Sequence, residues 1–351
     1  MTERVLRIGV IGGGAIVRQR HMPGLQAIPG VEVAAVCNRH RASAEKFAAD
    51  YQIRTIYDDW RELIADSTLD VVWIGTTPYM HAPLAIAALE AGRHVFTQAR
   101  MARNLAEARA MVAAAARHPD KVAAICPPPV GMAGDLTMRR LLRRERFAGT
   151  VRQVRLSVLA GSLAGAGDAL HWRQDFDISG INTLTVGIYA EVLHRWVGAA
   201  ASLQARTDTY VRVRRHPESG EYVEVRVPDS VSVVGQLAQG ADFVYQWSGV
   251  AHLGPPNELW VFGDAGTLTY NFGSDTIRGA KATDAELREI AIPAQERGSW
   301  QVEADYIRAV RQGGATGLAP SFAEGLKYME FLEALMCSAR EGRAVALPLD
   351  A

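Results

Sequence analysis

Net charge is the first thing this 351-residue chain lacks. Its 38 basic and 38 acidic residues cancel, so there is no general attraction for nucleic acid or anionic lipid, and small-molecule ligands are the better expectation. Cysteine is scarce too. Cys37, Cys126 and Cys337 are too few and too scattered for a disulfide framework, and none falls in a CxxC or Cys/His cluster that would suggest zinc. Reduced, buried thiols and no metal are expected. No run approaches the roughly 20 apolar residues of a membrane span, and MTERVLRIGV leads into a strand without the charged, apolar and cleavage-site order of a signal peptide. These absences predict a cytoplasmic protein with no membrane partner. Internal repeats and low-complexity tracts are also missing.

What is present is an ordinary globular composition, 48% hydrophobic and 22% charged, in a chain long enough for two cores. From residue 5 to about 126, short apolar runs alternate with helical patterns, the signature of βαβ units and a parallel sheet. The strands are LRIGVIG, VEVAAVCN, IRTIY, DVVWIGT, HVFTQ and KVAAIC, with helices such as HAPLAIAALEAG and NLAEARAMVAAAARH between them. CPPPVG at 126–131 continues neither strand nor helix, because proline lacks an amide donor and restricts its predecessor. The expected domains are therefore 1–126 and 127–351, with C-terminal helices free to pack back on the first. Past the break, a helix LTMRRLLRRERFAG leads to alternating segments that read as an antiparallel sheet: VRQVRLSVLAG, SLQARTDTYVRVRR, EYVEVRV, SVSVVGQLAQG, ADFVYQWSGV, ELWVFGDAGTLTYNF and LREIAIP. Alternation buries one face and leaves the other free for a partner.

GVIGGGAIV at 9–17 follows a strand and opens a helix, with Gly12 and Gly14 in the first two places of GxGxxG and Val17 in the third. Glycines there permit the tight turn and let the backbone, running on through Ala15 and Ile16, approach a pyrophosphate that the helix N-terminus favours. Context lifts a weak motif, since the turn begins a six-strand alternating pattern. The second strand ends at neutral Asn38, followed by Arg39 and Arg41 rather than an acid for the ribose hydroxyls. That arrangement leans towards NADP over NAD, although arginines after a strand are also ordinary solvated residues.

Read with WIGTTPYMHAPLAIAALEAGRHV at 73–95, HWRQDFDISGINTLTVGIY at 171–189, ELWVFGDAGTLTY at 258–270 and SAREGRAVALP at 338–348, these features resemble the Gfo/Idh/MocA superfamily. The likeness runs nearly end to end and includes the family's TPxxxH turn as Thr77, Pro78 and His81, preceded by Thr76. It implies an α/β Rossmann domain with a doubly wound parallel sheet, then an α+β domain with a large, mostly antiparallel open-faced sheet. It further implies a nicotinamide cofactor near Thr76, Thr77, Pro78, His81 and Gln98, a small sugar, polyol or aromatic substrate, and dimers or tetramers built through the second sheet.

Departures from the family are concentrated where it does chemistry. Its Glu-Lys-Pro is replaced by Gln98, Ala99 and Arg100, and its Asp, Gly and His by Thr185, Gly187 and Tyr189, with Val192 at a second Asp. Ala99 cannot exchange a proton. Arg100, always protonated, can stabilise an oxyanion or lower the pKa of Tyr189 but cannot act as a base. Tyr189 is left as proton carrier, with Arg100 or Gln98 polarising the oxygen. His171 and Trp172, beside Arg173, suit a sugar or aryl substrate, and Asn182 and Thr185 would share the helical face of Tyr189. Each also has a plainer reading: His81 as a helix cap, Trp172 as a core lid, and Asn182, Thr185 and Tyr189 as helix-to-sheet packing. GSLAGAGDA at 161–169 is either a mobile lid or a surface loop, and RRLLRRERF at 139–147 a solvated helix face rather than an anion site. The leading expectation is an NAD(P)-dependent oxidoreductase. The alternatives are a lyase, hydrolase or isomerase that uses a transient oxidation, and a nucleotide-binding module without catalysis.

Overall fold

The structure, a computed structural model, describes residues 4–314, 318 and 320–350, which divide into two compact units. The first unit comprises residues up to Pro127 together with Gln301–Leu326; the second comprises Pro128–Trp300 with Lys327–Ala351.

In the first unit, β1 (Leu6–Ile11), β2 (Val31–Cys37), β3 (Thr55–Tyr57), β4 (Val71–Ile74), β5 (His94–Thr97) and β6 (Ala123–Ile125) form one parallel sheet in the order β3-β2-β1-β4-β5-β6. Helices cover both faces of such a sheet, so its central strands read as continuous apolar runs rather than alternating ones. In β4 all four residues, Val71, Val72, Trp73 and Ile74, are fully buried. The strand order reverses between β1 and β4, and ligands of doubly wound sheets bind in the crevice at that point. Helix Pro78–Glu90 starts at proline, which has no amide to leave unsatisfied there, and stops before Gly92 at φ +74°. Helix Leu105–Arg117 is capped by Asn104, whose side chain accepts from the Glu107 amide at 2.9 Å.

The second unit carries a nine-stranded sheet in the order β16-β15-β14-β13-β7-β12-β11-β8-β17. These strands are β7 (Val151–Leu159), β8 (Ala200–Asp208), β11 (Ser230–Leu237), β12 (Asp242–Ser248), β13 (Glu258–Gly263), β14 (Gly266–Asn271), β15 (Thr276–Lys281), β16 (Arg288–Ile290) and β17 (Val345–Ala346). Along β12, Phe243, Tyr245 and Trp247 are buried while Asp242, Val244 and Gln246 face out, as a half-solvated sheet requires.

Several sequence expectations need correction. SLQARTDTYVRVRR is two strands, since β9 (Val213–Arg215) leaves the large sheet to pair with β10 (Tyr222–Glu224) in a separate ribbon. ELWVFGDAGTLTYNF is the hairpin β13–β14, β15 went unread, and β12 pairs with β7 in parallel. The helix at 135 is short: Asp135–Arg139 passes into a π-turn at Arg140–Arg144. Among the described residues no helix is long and apolar enough to cross a membrane, and no group of three or more His, Cys, Asp or Glu is placed to hold a metal.

Candidate functional site

The glycine turn after β1 is built for close approach. Gly12 has φ +89°, and a Cβ there would lie 2.7 Å from the Thr76 amide nitrogen; a Cβ on Gly75 would lie 2.3 Å from the Gly12 carbonyl oxygen. The two loops at the strand-order reversal therefore touch through glycine backbone. Gly13 is equally confined, by the Phe47 ring at 2.5 Å. Gly14 differs, because a Cβ on it meets nothing within 4 Å, and Gly14, Ala15 and Ile16 are all exposed. This open ridge at the start of a helical stretch is a cradle into which a pyrophosphate fits. Asn38 helps to shape it: its side-chain oxygen accepts from the Gly13 amide at 2.7 Å. Arg41 pairs with Glu45 and Asp58, and Arg39 is exposed just beyond the strand end.

Thr77 holds the N-cap position of the helix that begins at Pro78, without a side-chain capping bond. His81 is wholly buried, with Nδ1 2.8 Å from the Arg100 carbonyl oxygen and Nε2 3.0 Å from that of Thr76. Burial pushes its pKa below the ordinary imidazole value. The ring thus ties the Thr76 turn to the segment after β5, which holds Gln98, Ala99 and Arg100.

Gln98 corrects the sequence reading. Its side chain is 7% exposed, and its amide nitrogen donates to Nε2 of buried His21, whose Nδ1 in turn donates to Glu303 at 2.5 Å. One of the two N–H donors of its amide is thereby committed to His21. Trp73 and Phe96, stacked on each other at 3.8 Å, both meet the His21 ring edge-on, and Tyr306 packs edge-on against that pair. Glu303→Leu would leave a buried imidazole donor without its acceptor, which costs about 1–3 kcal/mol. Thermal unfolding should show a clear fall in Tm, and an unchanged Tm would mean the contact carries no stability.

In the second unit, a cavity of about 590 Å3 is walled by β7, β12, the loop 161–170, the turn Trp172–Gln174 and the start of helix Val186–Trp196. The volume suits a small molecule. Tyr189 lines it, 3% exposed, with its hydroxyl 3.5 Å from Nδ2 of Asn257 and its ring edge-on to Phe272 at 4.9 Å. Burial pushes the phenol up to about 12, with Asn257 opposing. Thr185 and His171 line the same cavity. Asn182 does not: it is buried, with its amide donating to the Ser179 carbonyl at 2.7 Å, and it lies before the helix begins. Trp172 is also absent from the lining and instead supports the guanidinium of Arg173 at 4.2 Å.

Asn257, Gln174 and Arg214 escaped the sequence reading. Arg214, 1% exposed on β9, donates Nη1 to the carbonyls of Gly165 at 2.7 Å and Asp168 at 3.2 Å, and Nη2 to that of Leu163. The glycine-rich loop is therefore a pinned cavity wall rather than a bare surface loop. A lone arginine in a strand gave no signal for this.

Comparison with known proteins agrees with the fold. The profile described as "Oxidoreductase family, NAD-binding Rossmann fold" matches residues 6–125, and that of the "GFO/IDH/MocA C-terminal domain" matches residues 136–269. Levoglucosan dehydrogenase of Pseudarthrobacter phenanthrenivorans is 26% identical across 98% of each chain. Several other relatives match over about a third of their own length, such as 4-carboxy-2-hydroxymuconate-6-semialdehyde dehydrogenase of Sphingobium, 35% identical over 30% of this chain and 34% of that one. Among solved structures, levoglucosan dehydrogenase in complex with NADH and L-sorbose superposes with a TM-score of 0.87 at 23% identity, covering 98% and 99% of the two chains. The aldose-aldose oxidoreductase of Caulobacter crescentus, complexed with glycerol, gives 0.80 at 20% identity, covering 98% and 100%. With both of its halves matched, this chain belongs to the GFO/IDH/MocA family of NAD-binding oxidoreductases.

Proposed function

We propose that the protein is an NAD(P)-dependent oxidoreductase acting on a hydroxyl or carbonyl of a small sugar-like, polyol or aromatic substrate, with Tyr189 as its proton carrier. The observation that carries this reading is the buried Tyr189 hydroxyl on a small-molecule-sized cavity, in a chain whose other unit holds an open glycine cradle. Full-length similarity to levoglucosan dehydrogenase supports the sugar-like class. A bound nicotinamide supplies or accepts the hydride. The chain's own part is to hold the dinucleotide at Gly12, Gly14, Ala15 and Ile16, to enclose the substrate, and to hold a proton on Tyr189 Oη that passes to a carbonyl oxygen as it becomes a hydroxyl. Arg100, from its place in the family motif, is assigned the developing negative charge; Gln98 is left to hold its own segment through His21. Purified protein assayed with sugars, polyols and aryl alcohols, followed by nicotinamide absorbance with both cofactors, tests the reading. A flat signal throughout would sink it.

The same reading favours NADP, since β2 ends at Cys37 and is followed by Asn38, already bonded to Gly13, and by Arg39, which is exposed, rather than by an acid. Arg39→Asp removes a phosphate partner and offers a ribose acceptor. We expect the affinity ratio to move towards NAD by about tenfold or more, the scale of one charge-assisted contact. Calorimetric titration with each nucleotide decides, and a constant ratio would place Arg39 in solvent. The outer face of the large sheet exposes Val234 at 49% and Val244 at 42%, and we assign it to a homo-dimer or homo-tetramer contact.

A further inference from the structure

The turn at residues 171–174 wires its side-chain acceptors inward and leaves donors. Nδ1 of His171 accepts from the Arg173 amide at 3.1 Å, so in the neutral ring the proton sits on Nε2. Desolvation and the neighbouring Arg173 both hold that ring neutral by lowering its pKa. The Gln174 side-chain oxygen accepts from the His171 amide at 3.4 Å. A backbone N–H can only donate, which fixes the orientation of the Gln174 amide. Its Nε2 has no hydrogen-bond partner among the described residues, and Gln174 is 4% exposed. The guanidinium carbon of Arg173 lies over the Trp172 ring, 4.2 Å from its centroid, and a cation–π contact consumes none of the five N–H donors. It forms no ion pair among the described residues.

His171, Arg173 and Gln174 all line the cavity. Arg214, the other arginine in the wall, directs its terminal nitrogens to loop carbonyls. Asp168, exposed on that loop, is the sole carboxylate among the described lining residues. Each hydroxyl of a neutral sugar brings a proton that also needs an acceptor, whereas a carboxylate only accepts and takes the planar fork of an arginine in two parallel bonds.

We propose that this turn reads a carboxylate, so that the cavity takes a small hydroxy acid or oxo acid, of the sugar-acid or aryl-carboxylate kind, anchored by Arg173 with His171 Nε2 and Gln174 Nε2 as further donors. The inference rests on the cavity being the substrate site. Its test uses the full chain with added NAD and NADP and matched pairs of compounds: glucose with glucuronate, galactose with galacturonate, benzyl alcohol with 4-(hydroxymethyl)benzoate, and glucose 6-phosphate as a second anion. The expected result is a kcat/KM at least about tenfold higher for the acid member. Arg173→Gln should collapse that ratio by about tenfold to hundredfold, mainly through KM, and Arg173→Lys should restore part of it.

Equal or better turnover of the neutral member, a preference for the phosphate ester, or an equal loss on both members in Arg173→Gln overturns the proposal while the oxidoreductase reading stands. Should no compound change the nicotinamide signal, calorimetry of the same acids on the cofactor-saturated protein decides. Carboxylate binding that Arg173→Gln abolishes sustains this inference and removes the redox reading; no carboxylate binding overturns it.

Discussion

Gly14→Asp is expected to abolish nucleotide binding in a protein that remains folded. The separation of these two effects comes from the unequal confinement of the three turn glycines. Any side chain at Gly12 must adopt φ +89° and meet backbone at 2.7 Å, and one at Gly13 must displace the Phe47 ring, so loss of binding there is confounded with loss of the turn. At Gly14 a Cβ meets nothing within 4 Å, and the residue is exposed. A carboxylate at that place, where the Gly14 carbonyl accepts from the Arg18 amide at 3.0 Å, also sits favourably at the start of a helical stretch. The unfolding temperature should therefore hold or rise slightly. For the cofactor the same carboxylate is a like charge on the cradle, and one ionic repulsion added to a lost amide contact corresponds to a loss of at least about a hundredfold in affinity. Gly14→Ala, which fills the space without charge, should cost far less. Calorimetry on both variants decides: nucleotide affinity unchanged in folded Gly14→Asp would remove the cofactor from this turn.

The turn was legible because its requirements are local. A largely apolar strand, a positive-φ glycine and a helix start lie within one short segment, and each leaves its mark on neighbouring letters. The alternating βαβ pattern of the first unit is local in the same sense, and each strand of the six-stranded sheet sits inside its expected segment. The second unit was harder because alternation does not say which sheet a strand joins. The pattern of SLQARTDTYVRVRR runs on while the chain leaves one sheet for another. Parallel pairing of β12 with β7 leaves no trace in either strand either.

Around Tyr189 the limit is of another kind. The i, i+3 and i+4 rule placed Asn182 beside it, but that rule holds only inside a helix, and the helix begins at Val186 after Leu184 takes a left-handed φ of +46°. Thr185 keeps its place because its carbonyl accepts from the Tyr189 amide at 3.1 Å. Asn257, 68 residues away, reaches the phenol through the sheet, and Arg214 reaches the glycine-rich loop 46 to 51 residues away. Neither belongs to a motif. The partner of Gln98 was hidden for the same reason: His21 is anchored by Glu303, 282 residues further on, and no motif links the three.

Tyr189→Phe is expected to lower kcat by about a hundredfold or more while cofactor affinity and stability barely move. The change removes only a hydroxyl, and the hydrogen bond it accepts from Asn257, at 3.5 Å, is too long to hold much stability. The direction of reaction sets the pH signature. With the phenol pushed up to about 12, Tyr189 keeps its proton across the neutral range, so carbonyl reduction should be level from about pH 6 to 10 as far as this group is concerned. Alcohol oxidation needs the phenolate, so its rate should climb about tenfold per pH unit on the alkaline side, with no plateau before about pH 12. Tyr189→Phe should erase that climb. Ala99→Lys supplies the residue that relatives carry at this place, next in the chain to the cationic Arg100. A like charge so near depresses the lysine pKa, and a neutral amine can take a proton. That variant should leave the native reaction no faster and should admit weak oxidation of simple polyols. If Tyr189→Phe is silent in both directions and Ala99→Lys speeds the native reaction severalfold, the proton does not pass through Tyr189, and the catalytic assignment fails even though the fold stands.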